Sequence, residues 1–257
     1  CLRSAEPHSG CDDRLGRRGR RVHRVAKARL GTLDNTGNTL DIGGAGLFGS
    51  GGLSSVSGTI KSGTVTSNDG TVLNSIAATL DGVTIGSNLA TTGNVFVNNG
   101  LTLANSKTLN AGSGSWYFSG SQTLATTGTA TLLISGGTLY AGYGIGNLTL
   151  DSGLAVRGYG SLSQWSNGSN IINNGSINAD TNAQSLTISP NAFINNGSMS
   201  VTAGTLTVIP ATFTNSGTTN VSGGTLNITP TNWSNPGKIN VGSGTLNLGT
   251  TFTLADL

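Results

Sequence analysis

Hydrophobic residues along most of this chain alternate with polar ones in short runs. In Thr205-Leu-Thr-Val208, Leu206 and Val208 fall on one side and Thr205 and Thr207 on the other. Leu226 with Ile228, Leu246 with Leu248, Leu101 with Leu103 and Leu148 with Leu150 repeat the arrangement. Alternation of this kind, bounded by Gly, Asn or Pro, predicts short half-buried strands. No stretch carries a helical period of useful length.

The strands also recur at an interval. Phe193-Ile-Asn-Asn-Gly197, Phe213-Thr-Asn-Ser-Gly217 and Trp233-Ser-Asn-Pro-Gly237 start 20 residues apart. Gly204-Thr-Leu206, Gly224-Thr-Leu226 and Gly244-Thr-Leu246 keep step with them, as do Pro190, Pro210 and Pro230. Ile171-Ile-Asn-Asn-Gly175 precedes the first block by 22 residues. Phe96-Val-Asn-Asn-Gly100 matches it again far upstream. The repeat is strong from residue 171 onward and looser before.

Strands this short cannot bury a face alone, and nothing between them has the length of a helix. A propeller blade needs about 40 residues or more, and a sandwich gives no reason for a strict repeat. The pattern therefore predicts an all-β fold, a right-handed parallel β-helix with coils of about 20 residues over residues 31–257. Its handedness follows the general crossover preference. Stacked coils would align Leu186, Leu206, Leu226 and Leu246 in one internal ladder. A second ladder would hold Ile171, Phe193, Phe213, Trp233 and Phe252. A third would join the amides of Asn173, Asn195, Asn215 and Asn235, with Gly175, Gly197, Gly217 and Gly237 in turns that need positive φ.

Composition agrees with strands and turns. Charged residues are only 9% of the chain while Gly fills 41 positions, so Thr, Ser, Asn and Gly must supply the outer surface. The charges are segregated. Residues 1–30 hold nine of the 13 basic residues, both cysteines (Cys1, Cys11) and both histidines (His8, His23). This basic tail reads as a disordered segment or a stretch not native to the protein; a basic arm and a lipidated Cys1 are the other readings. The remaining chain has more acids than bases, which argues against nucleic acid as a partner. No apolar run is long enough for a transmembrane segment, and the tail lacks the apolar core of a secretory signal. The start at Cys1 and the end at Asp256-Leu257, partway into a repeat, read as a piece of a longer parent chain, truncated at its C-terminal end.

The block from Leu186-Thr-Ile-Ser-Pro-Asn-Ala-Phe193 through Gly204-Thr-Leu-Thr-Val208 resembles the repeats of large bacterial secreted β-helix proteins. Autotransporter passenger domains and filamentous-haemagglutinin-like adhesins have that style. Leu154-Ala-Val-Arg-Gly-Tyr-Gly-Ser-Leu162 is similar to a link that recurs in such proteins. The resemblance covers residues 31–257. It implies export to a bacterial cell surface or beyond, and a structural or adhesive role. The expected partner is an extracellular polysaccharide or a host or matrix surface.

Parallel β-helices also carry polysaccharide-cleaving enzymes, which need clustered carboxylates or a bound cation. Residues 31–257 have no Glu, His or Cys and seven Asp, of which Asp151 and Asp180 with Arg157 form the nearest approach to an acidic site. Turn-capping is the plainer role for them. The expectation is no catalysis, no cofactor and no metal site. Gly43-Gly-Ala-Gly46 lacks the Asp of a calcium-binding repeat and reads as a turn. Outward Thr rows fail as an ice-binding array, since Thr207 is followed by Asn227 and Asn247. Aromatic residues remain. Trp116, Tyr117, Tyr140 and Tyr143 are the candidate ligand-binding residues, with Phe118, Tyr159 and Trp165 close in sequence. They suit stacking on sugar rings, so a carbohydrate-binding or carbohydrate-cleaving domain is the alternative function.

Overall fold

The computed structural model describes residues 26–44, 46–249 and 251–252. They form a parallel β-solenoid of about ten coils, averaging about 21 residues each, with one 3-10 turn at Gly49–Gly51 and no α-helix among the described residues. Residues 1–25 of the predicted tail lie outside them. A first strand, Ala26–Asp34, already contains residues 26–30.

Each coil crosses three parallel sheets in turn, here called faces A, B and C. In the regular part, Ser176–Ala179 lies on face A, Ser185–Ser189 on B and Ala192–Asn195 on C. The next coil adds Ser198–Val201, Thr205–Val208 and Thr212–Asn215 to the same three sheets. Every paired strand is parallel because the chain always advances in one direction around the axis. At a strand spacing of about 4.8 Å, ten coils make a rod of roughly 50 Å.

Alternation within each strand sends one set of side chains to the axis. Leu186 pairs with Leu206, Leu206 with Leu226 and Leu226 with Leu246, as the periodicity predicts. On face C, Ile171, Phe193, Phe213 and Trp233 are in register, and the rings of Phe193 and Phe213 stack at 5.6 Å. Burying each such side chain contributes about 1.5–3 kcal/mol, which no single coil could collect alone.

The asparagine ladder is present and buried. The amide of Asn173 donates to Asn195 at 2.8 Å, Asn195 to Asn215 at 2.7 Å and Asn215 to Asn235 at 2.6 Å. Asn173 and Asn215 also donate to backbone carbonyls of the next turn, Ser198 and Lys238. A buried amide whose partners lie on the adjacent coil fixes register as well as stability.

Two expectations are corrected. Gly175, Gly197, Gly217 and Gly237 do not have positive φ; the left-handed glycines of the repeat are Gly204 and Gly224. The ladder glycines are required by crowding instead. A Cβ on Gly217 would lie 1.9 Å from the Gly197 carbonyl oxygen, and one on Gly197 2.0 Å from that of Gly175. The second correction concerns Phe96-Val-Asn-Asn-Gly100. Phe193 points inward on face C, whereas Phe96 points outward on face B, where it pairs with Tyr117. The same five-residue pattern thus sits at two different corners of the solenoid.

Upstream of residue 171 the coils vary more. Leu53 follows its partner Ala26 by a whole coil enlarged by the loop around Gly43 and the 3-10 turn. Single long strands, such as Leu89–Leu103, bend across all three faces. Coil length there runs from 17 residues, between Leu80 and Val97, to 27, between Ala26 and Leu53.

Candidate functional site

On face B, in the less regular half, the outward row carries aromatic residues instead of Thr and Ser. Thr79 pairs with Phe96, Phe96 with Tyr117, Tyr117 with Tyr140 and Tyr140 with Ser163. The three rings stack along the rod axis. Phe96 and Tyr117 have centroids 4.9 Å apart and planes 17° apart; Tyr117 and Tyr140 are at 5.2 Å and 12°. Parallel strand spacing itself places rings at this separation, so consecutive aromatics in one outward row stack without further adjustment.

Two more rings come from the corner after face B. Glycines at 142 and 144, both with positive φ, turn the chain so that Tyr143 reaches back over the sheet. One coil later the backbone N–H of Trp165 donates to the Ala141 carbonyl at 2.9 Å, and the indole lies beside Tyr143. Tyr143 meets Phe96 at 5.4 Å and Tyr117 at 6.0 Å, both edge-on, although Phe96 lies two coils away. Trp165 meets Tyr117 at 5.0 Å and 88°, and Tyr140 at 5.4 Å and 80°.

These angles decide which surfaces are open. Both faces of Tyr117 are covered by Phe96 and Tyr140. Its perpendicular contacts with Trp165 and Tyr143 must therefore use its edge, leaving those two rings to receive it on their inner faces. Their outer faces turn to solvent: Trp165 is 51% exposed and Tyr143 45%. The five rings form a rigid three-ring base with a two-ring platform laid over it.

Of the predicted residues, Tyr117, Tyr140 and Tyr143 belong to this assembly. Trp116 does not. It is 1% exposed and packs into the core with Phe118, its indole N–H directed to the Ala111 carbonyl. Period-two alternation within Ser115–Ser119 separates them, sending Trp116 and Phe118 in and Tyr117 out. Phe96 and Trp165 were outside the predicted set. The alternation rule, applied to Trp116-Tyr117-Phe118, was the available signal; the partnership with Phe96 was hidden by unequal coil lengths.

The carboxylates are used as local caps. Asp151, at the corner between faces C and A, accepts from the N–H and hydroxyl of Thr126 and from the N–H of Ser152. Asp180, at the corner between A and B, takes Arg157 Nε at 2.6 Å and the Gly158 N–H. The two stand at opposite edges of face A, each already engaged. Asp69 holds the Gly43–Gly52 loop by accepting from Gly44 and Thr71, while Asp41 accepts from Gly43 and Asn68. No group of three His, Cys, Asp or Glu gathers at metal-binding range among the described residues.

The Gly44 N–H, followed by the Thr71 hydroxyl and N–H, lowers Asp69 to about 2. The Thr126 N–H likewise holds Asp151 below the ordinary carboxylate range, against the opposing effect of partial burial. Carboxylates depressed in the folded chain favour folding above their unfolded pKa of about 4. That contribution disappears as the pH falls through the folded values. With no histidine among the described residues, the melting temperature should stay level from about pH 5 to 9 and fall below about pH 4. Differential scanning fluorimetry across this range checks it; a step near neutral pH contradicts it.

Compared with family models, curated proteins and solved structures, the chain has no match. Among the described residues no helix is long and apolar enough to cross a membrane.

Proposed function

We propose that this chain is a rod-forming, adhesive segment of an exported bacterial cell-surface protein, in the style of autotransporter passenger and filamentous-haemagglutinin-like repeats. The observation that carries this reading is how the polar residues are spent. Amides run in ladders from coil to coil and carboxylates cap turns, and among the described residues no cleft gathers an acid with a base. A surface of Thr, Ser and Asn, sparing in charge, suits a spacer exposed to the extracellular medium. The solenoid supplies length, and its outward rows supply a repeating contact surface.

The reading is tested on intact cells that produce the protein, with antibody labelling and proteinase K accessibility. Labelling and cleavage without lysis are the expected results, and signal only after lysis overturns the reading. In parallel, the purified chain should release no reducing ends from a polysaccharide panel. Release from any polysaccharide shows a catalytic β-helix and directs attention to Asp151, Arg157 and Asp180.

A further inference from the structure

We infer that the outer faces of Trp165 and Tyr143 form a binding platform for a neutral polysaccharide, one whose hexopyranose rings present an apolar C–H face. The inference deepens the adhesive part of the proposed function by naming its ligand class and site.

The platform is unusual for its surroundings. Elsewhere the outward rows are mostly Thr, Ser and Asn with scattered aliphatic positions such as Leu133, Ile172 and Ile194, yet here five aromatic side chains meet at one place on the rod. The core does not need them, since Val95, Val97, Trp116, Phe118, Leu139 and Ala141 already fill the inward positions of the same strands. Holding Trp165 and Tyr143 half exposed sacrifices burial that an inward position would provide.

Geometry selects the ligand. The rings of Trp165 and Tyr143 have centroids 6.1 Å apart and planes at 40°, a tilted pair. Its two outer faces offer flat π surface, the feature that C–H groups on one side of a pyranose ring stack against. The stacked base of Phe96, Tyr117 and Tyr140 fixes both rings before any ligand arrives, so little rotamer freedom is lost on binding. Among the described residues, no protein hydrogen bond uses the indole N–H of Trp165 or the hydroxyls of Tyr117, Tyr140 and Tyr143. Those groups remain available to a ligand that has its own hydroxyls. A purely apolar protein surface would strand them.

Charge narrows the class further. Thr79 and Ser163, which flank the aromatic row on adjacent coils, are uncharged, and Arg157 is held by Asp180 at a different corner. Neither flanking residue neutralises a uronate or a sulfate. The preferred polymer is thus neutral.

Affinity electrophoresis of the whole chain is the test, in gels containing hydroxyethylcellulose, xyloglucan, galactomannan or polygalacturonate. At least one neutral polymer should retard the protein, and polygalacturonate should retard it less. Trp165→Ala and Tyr143→Ser should each weaken retardation at least about tenfold, an effect typical of an aromatic anchor. Both residues are half exposed, so melting temperatures near the parent's are expected. Binding should also shift Trp165 emission to the blue, a change lost in Trp165→Phe. Retardation by no neutral polymer, retardation by polygalacturonate alone, or retardation unaffected by Trp165→Ala would each overturn the inference. So would concentration-dependent self-association abolished by Trp165→Ala, which would assign the platform to a second copy of the chain. Any of these outcomes can coincide with surface labelling of intact cells, so the failure of this site is separable from failure of the rod reading.

Discussion

Asn195→Ala should destabilise the solenoid by about 3 kcal/mol or more, read as a shift of the urea unfolding midpoint. Asn195 is fully buried and sits in mid-ladder, accepting from Asn173 and donating to Asn215. Truncation leaves the Asn215 oxygen with only the long contact from the Thr219 hydroxyl, at 3.5 Å. The Asn173 amide loses its best acceptor on the next coil. Each buried polar group left unpaired costs about 1–3 kcal/mol, and the vacated space adds to that. Asn195→Leu separates the two contributions. It restores volume and no hydrogen bond, so it should recover little of the loss. If both variants unfold within about 0.5 kcal/mol of the parent, the ladder is ornamental and register is held by the apolar rows alone.

The second large effect is expected from the smallest possible change. Gly217→Ala adds one methyl group where the Gly197 carbonyl oxygen is 1.9 Å away and that of Asn196 is 2.8 Å away. Both neighbours are backbone, so no side chain can swing aside. The coils must separate at this corner, stretching the bonds from the Ser216 and Gly217 N–H groups to the Asn195 carbonyl. A loss of about 3 kcal/mol is expected, at the upper end of overpacking costs. Gly31→Ala is the control. Nothing lies within 4 Å of a Cβ there and φ is not positive, so the substitution should be neutral or slightly stabilising. Equal effects at the two sites, measured by thermal and urea unfolding, would show that coil spacing is softer than this geometry requires.

The contrast between the two halves of the chain explains what could be read from sequence. From Ile171 onward the coils have nearly one length, so Phe193, Phe213 and Trp233 align by inspection and the three ladders follow. The Asn ladder was legible because Asn kept the same place, two residues after Ile, Phe or Trp, in every repeat. The reason for the glycines beside it was not. Both a left-handed turn and a close coil-to-coil approach select Gly, and only the three-dimensional spacing tells them apart. Before residue 171 the coils differ in length: Val97 pairs with Phe118, 21 residues on, but Leu101 pairs with Leu124, 23 on, because the corner after Phe118 holds two extra residues. Phe96, Tyr117 and Tyr140 are then unequally spaced in sequence although adjacent in space. Trp116 was grouped with Tyr117 because they are neighbours in the chain. In a strand, neighbours in the chain are on opposite faces, and that one fact divides the core residue from the surface residue.

The direction of the hydrogen bonds has a mechanical consequence for a protein held by its two ends. Backbone bonds join coil to coil along the axis, while the chain itself winds around it. Tension applied through the termini acts on the outermost coil alone, and that coil unzips before its neighbour feels the load. Each event frees about 20 residues, or roughly 70 Å of extended chain at about 3.4 Å per residue. The rod would therefore lengthen in discrete steps at nearly constant force, and in the coils from Asn173 to Asn235 the buried amide of each successive asparagine would act as the catch that sets the next step.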